Sequence, residues 1–256
     1  FTDPEVVSGM EVPISGLMND RFALCLPREE FDEKRVADSV KELQCEFTGN
    51  SFHLHMYMGV YEIRDRDEAV SIMVDKANIA ADTIKNNYDC CVAYYDEHLL
   101  EISIEQRRLL GEFEPALQND EFVMYLQPQV KRDGAAKGAE ALVRWVHPSR
   151  GILTPYAFID ILENAGLIYK LDLYIWEKAA QKLAEWKEKG YGSYHISVNI
   201  STKDFYIIDI YETFTGLINK YGIAASNLHL EITETTLMTD FEKNMNIIHK
   251  LQGVGF

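Results

Sequence analysis

The chain has 256 residues with 25 basic and 41 acidic side chains, a formal charge of −16 at neutral pH. That balance excludes a general nucleic-acid binder, DNA or RNA, because phosphate backbones need clustered Lys and Arg, yet it leaves room for a small phosphorylated ligand held by local cations and a metal. With 47% apolar and 26% charged residues the chain is globular, long enough for one large barrel or two ordinary domains.

In chain order, Phe22–Pro27 is short, apolar and closed by Pro, the pattern of a buried strand. Val36, Val40 and Leu43 predict a helix within 31–47. His53–Val60 alternates in period two, so Leu54, Met56, Met58 and Val60 take one face of a strand. Met73, Ala77, Ala80 and Ile84 then step at helical spacing, and Cys90–Tyr95 is a last strand. This first part, residues 1–97, reads as α+β entered midway. The four cysteines, Cys25, Cys45, Cys90 and Cys91, have neither zinc nor disulfide spacing and are expected to pack as free thiols in a reducing cytoplasm. No apolar run approaches the roughly 20 residues of a membrane helix, and no signal peptide is visible.

A connecting helix is expected over 98–113, with Pro115 breaking it or opening a new one. From 114 onward strands separated mostly by helices follow: Phe122–Val130, Ala139–Val146, His195–Ser201 and Leu228–Thr233. Thr154-Pro155 reads as a cap opening a helix that Gly166 closes, Leu171–Lys189 as a helix ending at Gly190, Phe205–Tyr221 as one ending at Gly222, and Thr239 with Glu242 as a capping box for the last. Alternating β and α units predict a largely parallel sheet or barrel.

Residues of one parity share one face of a strand. Tyr125, Gln127 and Gln129 therefore share a face, as do Glu140, Leu142 and Arg144, then Ser197, Asn199 and Ser201, then His229, Glu231 and Thr233. If the strands are neighbours, Glu140, Asn199 and Glu231 converge with oxygen donors only, a set suited to Mg2+ or Mn2+. Arg144 lies further along the same stripe, where a guanidinium can take a phosphate. The alternative is a solvent face of an antiparallel sheet; connections long enough for helices argue against it. The acidic residues Glu29, Glu30, Asp32 and Glu33 read as a helix start, the stripe Leu171, Ile175, Ala179, Leu183 and Trp186 as core, and His53 with His55 as surface histidines. His229 either lines the site or is an interior histidine satisfied by its neighbours.

Glu140-Ala141-Leu142 with Arg144, inside GAEALVRWVHPSRG, resembles the signature of the EAL family of cyclic di-GMP phosphodiesterases. The surrounding series carries the resemblance: Gln127-Pro128, His147-Pro148 through Gly151, Thr154-Pro155, Phe158-Ile159, Gly166-Leu167-Ile168, Val198-Asn199-Ile200-Ser201 and Leu230-Glu231-Ile232-Thr233-Glu234. The resemblance implies a (β/α)8 TIM-like barrel over 114–256, of which these residues supply the amino-terminal half. It implies Glu140, Asn199 and Glu231 as ligands of Mg2+ or Mn2+, Gln127, Leu142 and Arg144 as the substrate-binding residues, and Glu234 as a brace at the site's mouth. It also implies hydrolysis of cyclic di-GMP to the linear dinucleotide pGpG, and a possible pairing of two copies through the barrels. The family's Asp-Asp-Phe-Gly segment would follow LQGVGF, so these 256 residues alone are expected to be inactive. The rival reading is a non-catalytic cyclic di-GMP receptor or scaffold. Before it, Met18-Asn19-Asp20-Arg21-Phe22 stands where the GGDEF family of diguanylate cyclases has Gly-Gly-Asp-Glu-Phe; Met58-Gly59-Val60, Asp75-Lys76-Ala77 and Tyr94-Tyr95-Asp96 extend the likeness. The loss of both glycines and the Glu-to-Arg reversal imply a degenerate domain without cyclase activity.

Overall fold

In a computed structural model of the protein, the structure describes residues 14–16, 21–36, 38, 56–85, 90–130, 132, 134–238 and 240–256. Two compact units divide the chain, Phe1–Glu105 and Gln106–Phe256.

In the first unit, β1 (Ile14–Gly16) pairs antiparallel with β2 (Phe22–Leu24). The expectation of a buried strand over Phe22–Pro27 is corrected here: Phe22 and Leu24 are exposed. A two-stranded ribbon covers a strand's edge but neither of its faces. Next, β3 (Met58–Val60), α1 (Val70–Asp82) and β4 (Val92–Tyr94) form a β-α-β unit with the two strands parallel. Ala80 and Ile84 are buried, as the spacing predicts. Gly59 is required where α1 crosses β3, since a Cβ there would stand 1.8 Å from the Ala77 carbonyl oxygen. Asp32 accepts the Arg35 N–H at 3.2 Å, so the acidic cluster does open a turn of helix. Cys25, Cys90 and Cys91 are free thiols. Met18–Asp20, Cys45, His53, His55 and the helix expected beyond Val36 lie outside the described residues.

The second unit takes in the later part of α2 (Glu97–Gln118), which continues through Pro115. Burial of Leu109, Phe113 and Ala116 on one face offsets the hydrogen bond the proline removes, about 3 kcal/mol. There follow β5 (Phe122–Val130), β6 (Ala136–His147), β7 (Gly151–Leu153), α3 (Ile159–Asn164), α4 (Ile168–Glu188) and β8 (His195–Ile200). The chain continues with α5 (Asp204–Ile207), α6 (Ile210–Tyr221), β9 (Leu228–Ile232), α7 (Glu234–Met238) and α8 (Phe241–Val254).

The sheet order is β5-β6-β8-β9, with β7 also on β6. Parallel pairing holds for β6 with β8 and for β8 with β9. The largely parallel expectation needs correcting at the start: β5 and β7 both run antiparallel to β6. The loop over 131–135 is too short for a crossover, which needs a dozen residues or more. Likewise Thr154 makes no side-chain cap, and the single helix expected over Phe205–Tyr221 is two, interrupted at Ile208 and Asp209. Thr239 lies outside the described residues, and α8 begins without a side-chain cap.

One face of this sheet is covered by helices. Ala141 and Trp145 of β6 and Ile196, Val198 and Ile200 of β8 are buried there with Leu171, Ile175, Ala179 and Leu183 of α4. Phe122 centres an aromatic cluster, 4.8 Å from the Trp145 ring and 5.7 Å from both Phe113 and Phe158. No helix among the described residues is long and apolar enough to cross a membrane.

Candidate active site

Covering one face with helices turns the other parity outward, and strand register then decides which polar side chains meet. Gln127 stands opposite Glu140, Glu140 beside Ser197, and Ser197 beside His229. In the adjacent row Tyr125 faces Leu142, and Asn199 lies beside Glu231. The three oxygen-bearing residues picked by parity therefore sit on three consecutive strands, β6, β8 and β9. Neighbouring strands are about 4.8 Å apart, close enough for side chains to share a ligand.

The contacts follow the register. Asn199 donates from Nδ2 to Glu140 Oε1 at 3.2 Å. Its backbone carbonyl accepts the indole N–H of the fully buried Trp176 at 3.0 Å, which ties this position to α4. Arg144 does not reach Glu140. Its guanidinium lies over the Tyr125 ring, 5.6 Å from the centroid, and donates to the Val143 carbonyl at 2.7 Å. Gln127 is exposed, Leu142 half-buried, and Glu234 exposed at the first turn of α7, directly after β9. Glu140, Asn199 and Glu231 lie on three neighbouring strands with Gln127 opposite Glu140; Arg144 lies further along β6, and Glu234 opens α7 after β9.

A cavity of about 470 Å3 opens beside this row, lined by Gln129, Lys137, His195, Ser197, His229 and Glu231 among others. His229 stacks on His195 with ring centroids 3.9 Å apart and lines the cavity. Burial, then the positive potential of His229 and Lys137, holds the His195 imidazole below its ordinary pKa, while Glu231 opposes. Among the described residues no group of three or more His, Cys, Asp or Glu is disposed to hold a metal ion. A cation on this face therefore needs the Asn199 carboxamide as well as the two carboxylates. That donor set is all oxygen, which fits a hard divalent ion.

Sequence reasoning missed what supports the loop after β8. Ser201 and Asp204 cap each other: Asp204 Oδ2 accepts the Ser201 N–H at 2.8 Å, and Ser201 Oγ accepts the Asp204 N–H at 3.3 Å. The Ser-x-x-Asp spacing was a legible sign of this box. Asp172 of α4 interacts with Asp204, and burial pushes both carboxyl groups up, Asp172 the further. No sequence signal pairs residues 172 and 204. The partnership of Gln129 and His195 was missed too, although both share parity with the stripe.

Comparison with known proteins adds relatives to this geometry. The EAL domain family matches residues 111–256. Among curated proteins, MucR of Pseudomonas aeruginosa, a bifunctional diguanylate cyclase/cyclic di-GMP phosphodiesterase, is 29% identical over 177 residues, covering 69% of this chain and 25% of MucR. The cyclic di-GMP phosphodiesterase PdeR of Escherichia coli is 29% identical over 140 residues, covering 55% of this chain and 21% of PdeR. The chain thus spans about a quarter of the length of these relatives. Among solved structures, the MucR phosphodiesterase in complex with c-di-GMP superposes with a TM-score of 0.56 at 30% identity, covering 58% of this chain and 60% of that one. The S helix-GGDEF-EAL portion of LapD from Vibrio cholerae covers 95% of this chain and is itself covered to 58%, with a TM-score of 0.55 at 17% identity, a likeness of fold alone.

Proposed function

The chain belongs to the EAL domain family, and on that premise we propose that its second unit carries metal-ligating and substrate-binding residues of a site that hydrolyses cyclic di-GMP to pGpG. The observation that carries this reading is the contact of Asn199 with Glu140 beside the register partner Glu231.

Glu140, Asn199 and Glu231 hold a divalent cation, Mg2+ or Mn2+. Asn199 spends its Nδ2 on Glu140, which leaves the carboxamide oxygen as the donor to the ion. When bound, such an ion polarises a phosphoryl group and lowers the pKa of an attacking water. The protein's own side chains do the rest. Arg144 swings from the Val143 carbonyl to a phosphate of the ligand, exchanging a neutral acceptor for a charged one. Gln127 and Leu142, which flank Glu140 on this face, contact the ligand nearby, and Glu234 braces the turn that follows β9.

Three donors on an open sheet face supply only part of a catalytic cage, so the 256 residues alone bind ligand without turning it over. The first unit is a degenerate GGDEF-like domain with no cyclase activity. Arg21, at the metal position of that signature, is engaged by Asp82 at 3.1 Å and Asn78 at 3.2 Å, which supports a structural role.

Calorimetry of the 256-residue chain with cyclic di-GMP, first in chelator and then in Mn2+, tests this. Mn2+ is expected to tighten binding about tenfold or more, Glu140→Gln to abolish that gain, and Arg144→Gln to weaken binding in both conditions by about 10–100-fold, the worth of one or two charge-assisted hydrogen bonds. Binding that ignores Mn2+ and Glu140→Gln replaces the hydrolase with a receptor. Absence of any binding refutes both, and linear product from the chain alone refutes the claim that it is only part of the cage.

A further inference from the structure

Beside the cation-type donors lies a row that the proposed reaction leaves unused. Gln129 of β5, Gly138 of β6 and His195 of β8 are in register across three strands. Gly138 is the key to their meeting. A Cβ there would stand 2.4 Å from the His195 carbonyl oxygen and 2.6 and 2.7 Å from two carbons of its ring. The His195 imidazole occupies the space a side chain would take, and reaches Gln129 over it. His195 Nε2 and Gln129 Oε1 are 2.8 Å apart. Gln129 turns its Nε2 the other way, to Ser197 Oγ at 3.4 Å and Glu231 Oε1 at 3.5 Å. His195 and Ser197 are both buried, and His229 closes the free face of the ring.

The proton inventory allows one arrangement. A carboxylate only accepts hydrogen bonds, so the Gln129 carboxamide must turn its NH2 toward Glu231. Its oxygen then faces His195, and the imidazole must carry its proton on Nε2. The reverse orientation sets carbonyl oxygen against carboxylate. The long contacts to Ser197 and Glu231 are of the kind that shorten when a site is loaded.

We propose that Gln129 is a positioning residue for Glu231: its carboxamide, locked by His195 across Gly138, holds the carboxylate in the orientation a cation requires. This rests on Glu231 being a cation ligand. Outer partners of metal ligands are worth about 10–100-fold in metal affinity.

Two readouts test it in the 256-residue chain. Imidazole 15N spectra of the metal-free protein are expected to show His195 as the neutral Nε2–H tautomer. Glu231→Gln removes the demand for a donor and frees the carboxamide to turn, so a mixture of tautomers is expected at His195, a residue the substitution does not touch. Separately, Gln129→Leu is expected to weaken Mn2+ binding about 10–100-fold, and to lower the metal-free unfolding midpoint because the buried His195 Nε2–H loses its acceptor. A His195 tautomer on Nδ1, a tautomer insensitive to Glu231→Gln, or Mn2+ affinity in Gln129→Leu within twofold of wild type each overturns the proposal. If the wild type binds no Mn2+, the metal reading of the site falls by itself, and the response of His195 to Glu231→Gln decides whether the relay exists.

Discussion

Asp172→Asn tests the buried acid pair under the site. Asp204 is fully buried, and its Oδ1 receives no N–H or hydroxyl hydrogen. A protonated Asp172 is the expected source of the missing hydrogen, since burial beside Asp204 raises its carboxyl pKa. Burial pushes the Asp172 carboxyl well above the usual carboxylate range, helped by the charges of Asp204 and Glu163. A folded-state pKa raised above the unfolded one stabilises the fold fully below the unfolded value, and that stability is lost as pH rises toward the folded value. Above the ordinary Asp pKa of about 3.9 the native pair keeps its proton while the unfolded chain releases one, so stability falls by up to about 1.4 kcal/mol per pH unit. Asparagine has the same shape, donates from its NH2 and carries no titrating proton, so the variant lacks this slope. Tryptophan fluorescence in urea reads the relevant unit alone, since Trp145, Trp176 and Trp186 all lie in the second unit. The stability of the variant relative to wild type should grow as pH is raised from 4 toward 6. Taking the difference cancels the opposing slope of His195, whose depressed pKa favours the fold as pH rises. A difference that stays constant across that range would show that Asp172 and Asp204 share no proton, and the reasoning fails.

Trp176→Phe keeps the ring contact with Phe214 (4.5 Å between centroids) but removes the donor to the Asn199 carbonyl. A loss of about 1–3 kcal/mol is expected in urea unfolding, with weaker Mn2+ binding; a loss under about 0.5 kcal/mol would mean that carbonyl finds water instead. Gly222 ends α6 at φ +60°, with its N–H on the Ile218 carbonyl. Gly222→Ala should cost about 1 kcal/mol in the same assay and Gly222→Asn less, because only glycine and asparagine enter that region readily; equal cost would place the strain elsewhere.

Strand parity was set by the amino-acid order, and it put Glu140, Asn199 and Glu231 on one face before any neighbour was known. The ends of α4 and α6 were equally legible, since Gly190 and Gly222 each take the positive φ that stops a helix. Local pattern could not supply partners across space. Phe22 and Leu24 look like core letters yet lie exposed, because burial depends on a covering layer. The antiparallel start of the sheet depends on a loop length, and the break at Ile208 and Asp209 on how α5 and α6 each dock. The meeting of Gln129 with His195 depends on register over Gly138, and the raised carboxyl groups of Asp172 and Asp204 on residues 32 positions apart reaching the same buried space. Backbone periodicity is a property of neighbours in the chain. Contact and desolvation belong to the packed whole, so only the tertiary structure could decide which side chains share a hydrogen bond or a buried space.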